Sequence, residues 1–99
     1  MVKSVNKDIS PFIDDGGKIK QIPVSNKKKI SVLMYLAEKF DVDKIYNEKQ
    51  INTIINGWHT FEDYFLLRRL LVDYCFLNRT ADGSKYWANK KNIINGYNK

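Results

Sequence analysis

The chain of 99 residues contains one cysteine, one histidine and two prolines. Each scarcity excludes something. A single thiol, Cys75, can neither close an internal disulfide nor supply a cysteine-based zinc site. It reads as a small buried hydrophobe in a protein of a reducing, cytoplasmic setting. The single histidine, His59, has no second His or Cys at metal-ligand spacing and no paired nucleophile. A turn residue between two helices is therefore expected there, with no metal and no cofactor. No apolar run approaches the ~20 residues of a membrane span; Tyr64–Leu67 is cut off by Arg68 and Arg69. Residues 1–11 lack the apolar segment of a secretory leader. No Walker loop, G-x-S-x-G or H-E-x-x-H occurs, so no enzyme is expected.

Acidic residues are also in the minority. Eleven Asp and Glu face seventeen Lys and Arg, for a net charge of +6. The excess is uneven. Residues 59–80 are neutral, whereas 81–99 hold four lysines against one aspartate. What is abundant is apolar and aromatic material, 43% and 13% of the chain, enough for one core in a domain of ordinary size. The expected organisation is a flexible segment over 1–11, one domain over 12–89, and a basic tail over 90–99.

The periodicity predicts three helices. Ser25 or Asn26 caps the first, over roughly 26–40, with Ile30, Leu33, Ala37 and Phe40 on its apolar face. Lys44–Tyr46 reads as a short extended piece, as does Lys18–Ile22 before Pro23. Asn47 and Gln50 form a capping-box pattern for a second helix that carries Ile51, Ile54, Ile55 and Trp58 and stops near Gly57. Thr60 is the expected cap of a third helix, with Tyr64, Leu67, Leu71 and Tyr74 as its buried face. Phe76–Thr80 and Lys85–Ala88 read as strands around the Asp82-Gly83 hairpin signal. Tyr86 and Trp87 alternate across the second of them, one inward and one at the rim. Three helices closed by such a ribbon form an α+β winged helix-turn-helix, with the hairpin as wing.

Particular runs narrow this further. They are Gly17-Lys18-Ile19-Lys20-Gln21-Ile22-Pro23, Lys27-Lys28-Lys29, Tyr46-Asn47-Glu48 with Ile51-Asn52, and Asp63. Leu67-Arg68-Arg69, Leu71-Val72-Asp73-Tyr74, Leu77, Arg79, Gly83 and Tyr86-Trp87 continue the series. In their order and spacing the chain resembles the bacterial domain-of-unknown-function family 2087, over roughly residues 12–88. The resemblance implies a small winged-helix-like domain, also found attached to helix-turn-helix transcriptional regulators, and hence a place in gene regulation. Three features, at four positions, depart from the family pattern. Phe65 and Leu66 replace small or polar residues, Leu70 replaces an acid, and Cys75 stands where a glycine commonly ends the helix.

The candidate binding residues follow from charge and position. Arg68 and Arg69, mid-way along the third helix, can fork onto guanine or clasp phosphate of double-stranded DNA. Equally, Arg69 can pair with Asp73 at i,i+4, and Arg68 with an acid on a neighbouring element. Lys27, Lys28 and Lys29 at a helix start, and Lys85, Lys90 and Lys91 flanking the wing, are candidate phosphate contacts or simply solvated charge. Phe65, Leu66 and Leu70 point instead to a protein contact, with a second copy or with a helix-turn-helix regulator. Nucleic-acid binding in transcription regulation is the leading expectation. A non-catalytic interaction or sensory module is its alternative.

Overall fold

The computed structural model describes residues 9–91. Most of the expected N-terminal segment and basic tail, residues 1–8 and 92–99, lies outside them. Packing reaches back three residues from the boundary expected at residue 12: Ile9 is buried and Ser10–Phe12 form a single 3-10 turn.

The first helix begins where the sequence directs. Ser25 is extended, and its hydroxyl accepts from the Lys28 N–H at 3.4 Å, starting α1 (Asn26–Ala37). This helix ends three residues earlier than its apolar spacing predicts. Phe40 is buried from the following turn, where its N–H bonds to the Ala37 carbonyl. β1 (Ile45–Tyr46) leads into α2 (Glu48–Asn56). The capping box at the start of α2 is complete, with Asn47 Oδ1 accepting from Gln50 N–H and Gln50 Oε1 from Asn47 N–H, both at 2.8 Å.

α3 (Tyr64–Asp73) is capped by Asp63, whose carboxylate accepts from the Leu66 N–H at 3.1 Å. Thr60 is not its cap. His59 causes the difference. Its ring is buried, Nδ1 lies 2.8 Å from the Ile55 carbonyl, and Nε2 accepts from the Asp63 N–H at 2.9 Å. These two bonds assign the proton to Nδ1 and hold the chain from 59 to 63 against the end of α2 before a new helix can start. Ile19 adds a bridge: its N–H bonds to the Trp58 carbonyl and its own carbonyl takes the Thr60 N–H. The extended piece expected over 18–22 reduces to this one residue.

The later start of α3 moves Tyr64 out of the core. Leu67 and Leu71 are fully buried as expected, but Tyr64 lies in the first turn, beyond the edge of the core, and is exposed. Tyr74 is half-buried, and its hydroxyl donates to Asn26 Oδ1 at 2.6 Å. The helix closes on a Schellman motif, with Cys75 N–H to the Val72 carbonyl and Phe76 N–H to the Leu71 carbonyl. Cys75 occupies the left-handed position at φ +64° and is exposed. The expectation of a buried thiol is therefore corrected. The closing position of this motif turns its side chain outward, and Phe76 takes the buried place next to it.

β2 (Leu77–Arg79) and β3 (Tyr86–Ala88) form the ribbon. β3 is central and antiparallel to both neighbours in the order β1-β3-β2. Tyr86 stands opposite both Tyr46 and Arg79. The result is an α+β arrangement with winged-helix connectivity. Its core joins Val32, Leu33 and Leu36 of α1, Ile51 and Ile55 of α2, and Leu67 and Leu71 of α3. Each such side chain contributes about 1.5–3 kcal/mol by leaving water.

Candidate functional site: the face between the third helix and the wing

Arg68 and Arg69 are neighbours in sequence and have opposite fates in space. One helical step of 100° points Arg68 toward α2 and Arg69 toward solvent. Arg68 is only 13% exposed. Its Nη1 donates to Asn52 Oδ1 at 2.6 Å, and its Nη2 lies 3.7 Å from Glu48 Oε1. Its guanidinium centre is 5.1 Å from the Phe65 ring centroid and 5.9 Å from that of Tyr64. Arg68 is thus a latch between α3 and α2, the pairing with a neighbouring element that stood as the alternative to base reading. Arg69 is 72% exposed, and its Nε lies 3.7 Å from Asp73 Oδ2. An exposed pair at that distance is weak, so Arg69 is available to a ligand.

Arg69 does not stand alone. Between α3, the start of α2 and the ribbon is a cleft of roughly 420 Å³. Arg68, Arg69, Phe65, Val72 and Asp73 form the helix side of its wall. Arg79 and Tyr86 form the ribbon side, and Glu48 adds its carboxylate from α2. Arg79 is exposed and makes no ion pair among the described residues. Three guanidinium groups against two carboxylates leave this face cationic. Nothing in the linear sequence marks Arg79 and Tyr86 as lining this cleft. Their place opposite α3 depends on how the ribbon folds back. The Arg68 latch did leave a signal: Glu48 and Asn52 are i,i+4 on one face of α2.

The lysines divide into two groups. Lys85 lies by the hairpin turn, where its carbonyl accepts from the Thr80 N–H. Lys27 and Lys28 are exposed at the start of α1, which is tied to the end of α3 by the Asn26–Tyr74 bond. Asn89 N–H bonds to the Phe76 carbonyl, bringing Lys90 and Lys91 to that same end. Lys90 Nζ is 3.5 Å from Asp43 Oδ1, and Lys29 is half-buried. Lys27, Lys28 and Lys91 are thus carried by segments tied to the C-terminal end of α3, whereas Lys85 lies by the hairpin turn.

The apolar departures also separate. Leu70 is half-buried, packed against the core. Phe65 and Leu66 are 58% and 37% exposed and, with Tyr64, make an uncovered apolar turn. At the hairpin tip, Asp82 accepts from the Thr80 and Ser84 hydroxyls and from the Ser84 N–H. The Thr80 bond is the foremost cause that holds its carboxyl at about 2, below the ordinary 3.8. Gly17, at φ +85°, receives the Tyr35 hydroxyl on its carbonyl at 2.7 Å. Burial, with Asp14 and Glu38 nearby, raises the Tyr35 hydroxyl above its ordinary 10.0. The Gly17 turn is thus part of the framework.

Among the described residues, no three His, Cys, Asp or Glu side chains converge to hold a metal ion, and no helix is long and apolar enough to cross a membrane. Compared with known proteins, residues 18–88 match the family model described as an uncharacterized protein conserved in bacteria (DUF2087). Neither a curated protein nor a solved structure matches the chain. The match spans α1, α2, α3 and the ribbon, the elements that build the cleft, and this chain belongs to the DUF2087 family.

Proposed function

We propose that this domain is a nucleic-acid-binding module of transcription regulation that grips the phosphate backbone of a duplex with α3 and the wing. The observation that carries the reading is the pairing of Arg69 and Arg79 across one cleft, with Lys85 beside the hairpin turn. Winged-helix connectivity supports it, because that arrangement lays a helix and a ribbon along one face. Backbone contact is favoured over base reading, since Arg68 is held by α2 and the helix turn before it is apolar. Fluorescence anisotropy with a labelled duplex at several salt concentrations tests the reading. Affinity should fall as salt rises, and each of Arg69→Ala and Arg79→Ala should reduce the slope of log K by ~0.9. Affinity indifferent to salt removes the proposal.

One observation favours a second reading, a non-catalytic docking role toward another copy or a helix-turn-helix regulator. Tyr64, Phe65 and Leu66 expose three large apolar side chains in one helical turn. Sedimentation across a hundredfold range of concentration, alone and with a helix-turn-helix regulator, tests it. A monomer throughout, with no complex formed, counts against docking.

A further inference from the structure

Tyr46 and Tyr86 stand opposite each other in the sheet with their rings buried. The Tyr46 hydroxyl accepts from the Asp41 N–H at 2.9 Å. The Tyr86 hydroxyl bonds to no other group among the described residues, and since no fully buried side-chain oxygen among them lacks a partner, it reaches solvent. Tyr86 lines the cleft between α3 and the wing. Its hydroxyl and Arg79 Nη1 lie 3.9 Å and 3.2 Å from the point where a side chain on Gly83 would begin. A phenol and a guanidinium, neither bonded to an acceptor among the described residues, thus lie side by side against a glycine whose missing Cβ leaves the space the guanidinium fills.

We propose that this cleft binds a phosphate monoester, taken by Arg69 and Arg79 from its two walls and by the Tyr86 hydroxyl from its floor. A monoester offers three terminal oxygens to these three donors, whereas an internal diester of a nucleic-acid backbone offers two. Guanidinium forks are well matched to such oxygens. The Asp73 carboxylate beside Arg69 is more than half exposed, and the pair is long enough to yield to a dianion. Phe65 leaves an apolar wall for the organic part of the ester. At roughly 420 Å³ the cleft falls in the lower range of small-molecule sites. The inference depends on the cleft alone and does not require duplex binding. The monoester can be a free phosphorylated metabolite or the 5′-phosphate end of a strand.

Isothermal titration of the full chain tests this with four probes. They are a nucleoside 5′-monophosphate, the parent nucleoside, and a short oligonucleotide with a 5′-phosphate or a 5′-hydroxyl end. At least one phosphorylated probe should bind at least tenfold tighter than its unphosphorylated counterpart, and the tighter of the two identifies the source. Arg79→Gln and Tyr86→Phe should each weaken that probe by about tenfold. Lys18→Gln removes the same charge away from the cleft and should change nothing. Arg79 is at the surface, so its variant remains informative even if Tyr86→Phe disturbs the fold. Overturning results are the absence of saturable binding at millimolar ligand, equal binding of each probe pair, or a Lys18→Gln loss equal to that of Arg79→Gln. A chain that binds the monoester and shows no salt-dependent duplex affinity would retain this site and lose the backbone-gripping role.

Discussion

Replacing Arg68 by alanine separates a structural arginine from a binding one. The short bond to Asn52 involves a charged donor, and such bonds contribute about 1.5–3 kcal/mol. Glu48 is half-exposed at 3.7 Å and adds roughly 0–1 kcal/mol. The stacking on Phe65 adds about 0.5–1 kcal/mol. These terms share one side chain and are not additive, so about 3 kcal/mol is the expected loss. For a domain this size, that lowers Tm by roughly 12–20 °C. Urea unfolding followed by tryptophan fluorescence measures it, with Arg69→Ala as the comparison. Arg69 is mostly exposed and weakly paired, so its removal should cost under ~0.5 kcal/mol. The two variants should also diverge in duplex affinity, Arg69→Ala losing binding and Arg68→Ala, while still folded, retaining it. An Arg68→Ala protein within about 0.5 kcal/mol of the parent would refute the latch. Equal losses in the two variants would do so as well.

Three further outcomes are expected. Cys75→Gly should raise stability by about 1 kcal/mol, because Cys75 holds φ +64° at the position of the Schellman motif that glycine fills without strain; thermal melts giving an unchanged or lower Tm contradict this. His59→Phe should cost about 2–4 kcal/mol, since it leaves the Ile55 carbonyl and the Asp63 N–H without their partner, and faster amide exchange at 63–66 should accompany the loss. Asp82 should titrate near pH 2 by carboxyl NMR. Its folded value is depressed, so its contribution to the hairpin is complete above 3.8 and disappears as pH falls through about 2. A midpoint at or above 3.8 would show that the Thr80 and Ser84 bonds do not persist in solution.

Local signals predicted local structure well. The capping box of Asn47 and Gln50, the Asp82-Gly83 hairpin and the apolar spacing of Leu67 and Leu71 all involve residues a few positions apart. Such interactions form in much the same way in many contexts, which makes them legible in a linear string. The start of α3 was misplaced because its cap competes with a tertiary contact. Thr60 is a sound cap by composition, but its backbone is tied to the Ile19 carbonyl, forty-one residues back, and the Asp63 N–H from which its hydroxyl would have to accept goes to His59 Nε2. The buried His59 ring then delays the helix to Asp63.

The candidate site divides in the same way. Residue types and charge named both arginines and the lysines, and the positions of Phe65 and Leu66 marked an apolar departure. Which arginine faces solvent depends on where α2 crosses α3, since Glu48 and Asn52 meet Arg68 only through that packing. The cleft itself needs the ribbon folded back, so that Arg79 and Tyr86 come opposite Arg69. From the linear order alone came the α+β class, the order of elements and the list of charges. Tertiary structure alone decided which of those charges are already satisfied, because satisfaction requires a partner from another element, and the chain brings such partners together only when its core closes.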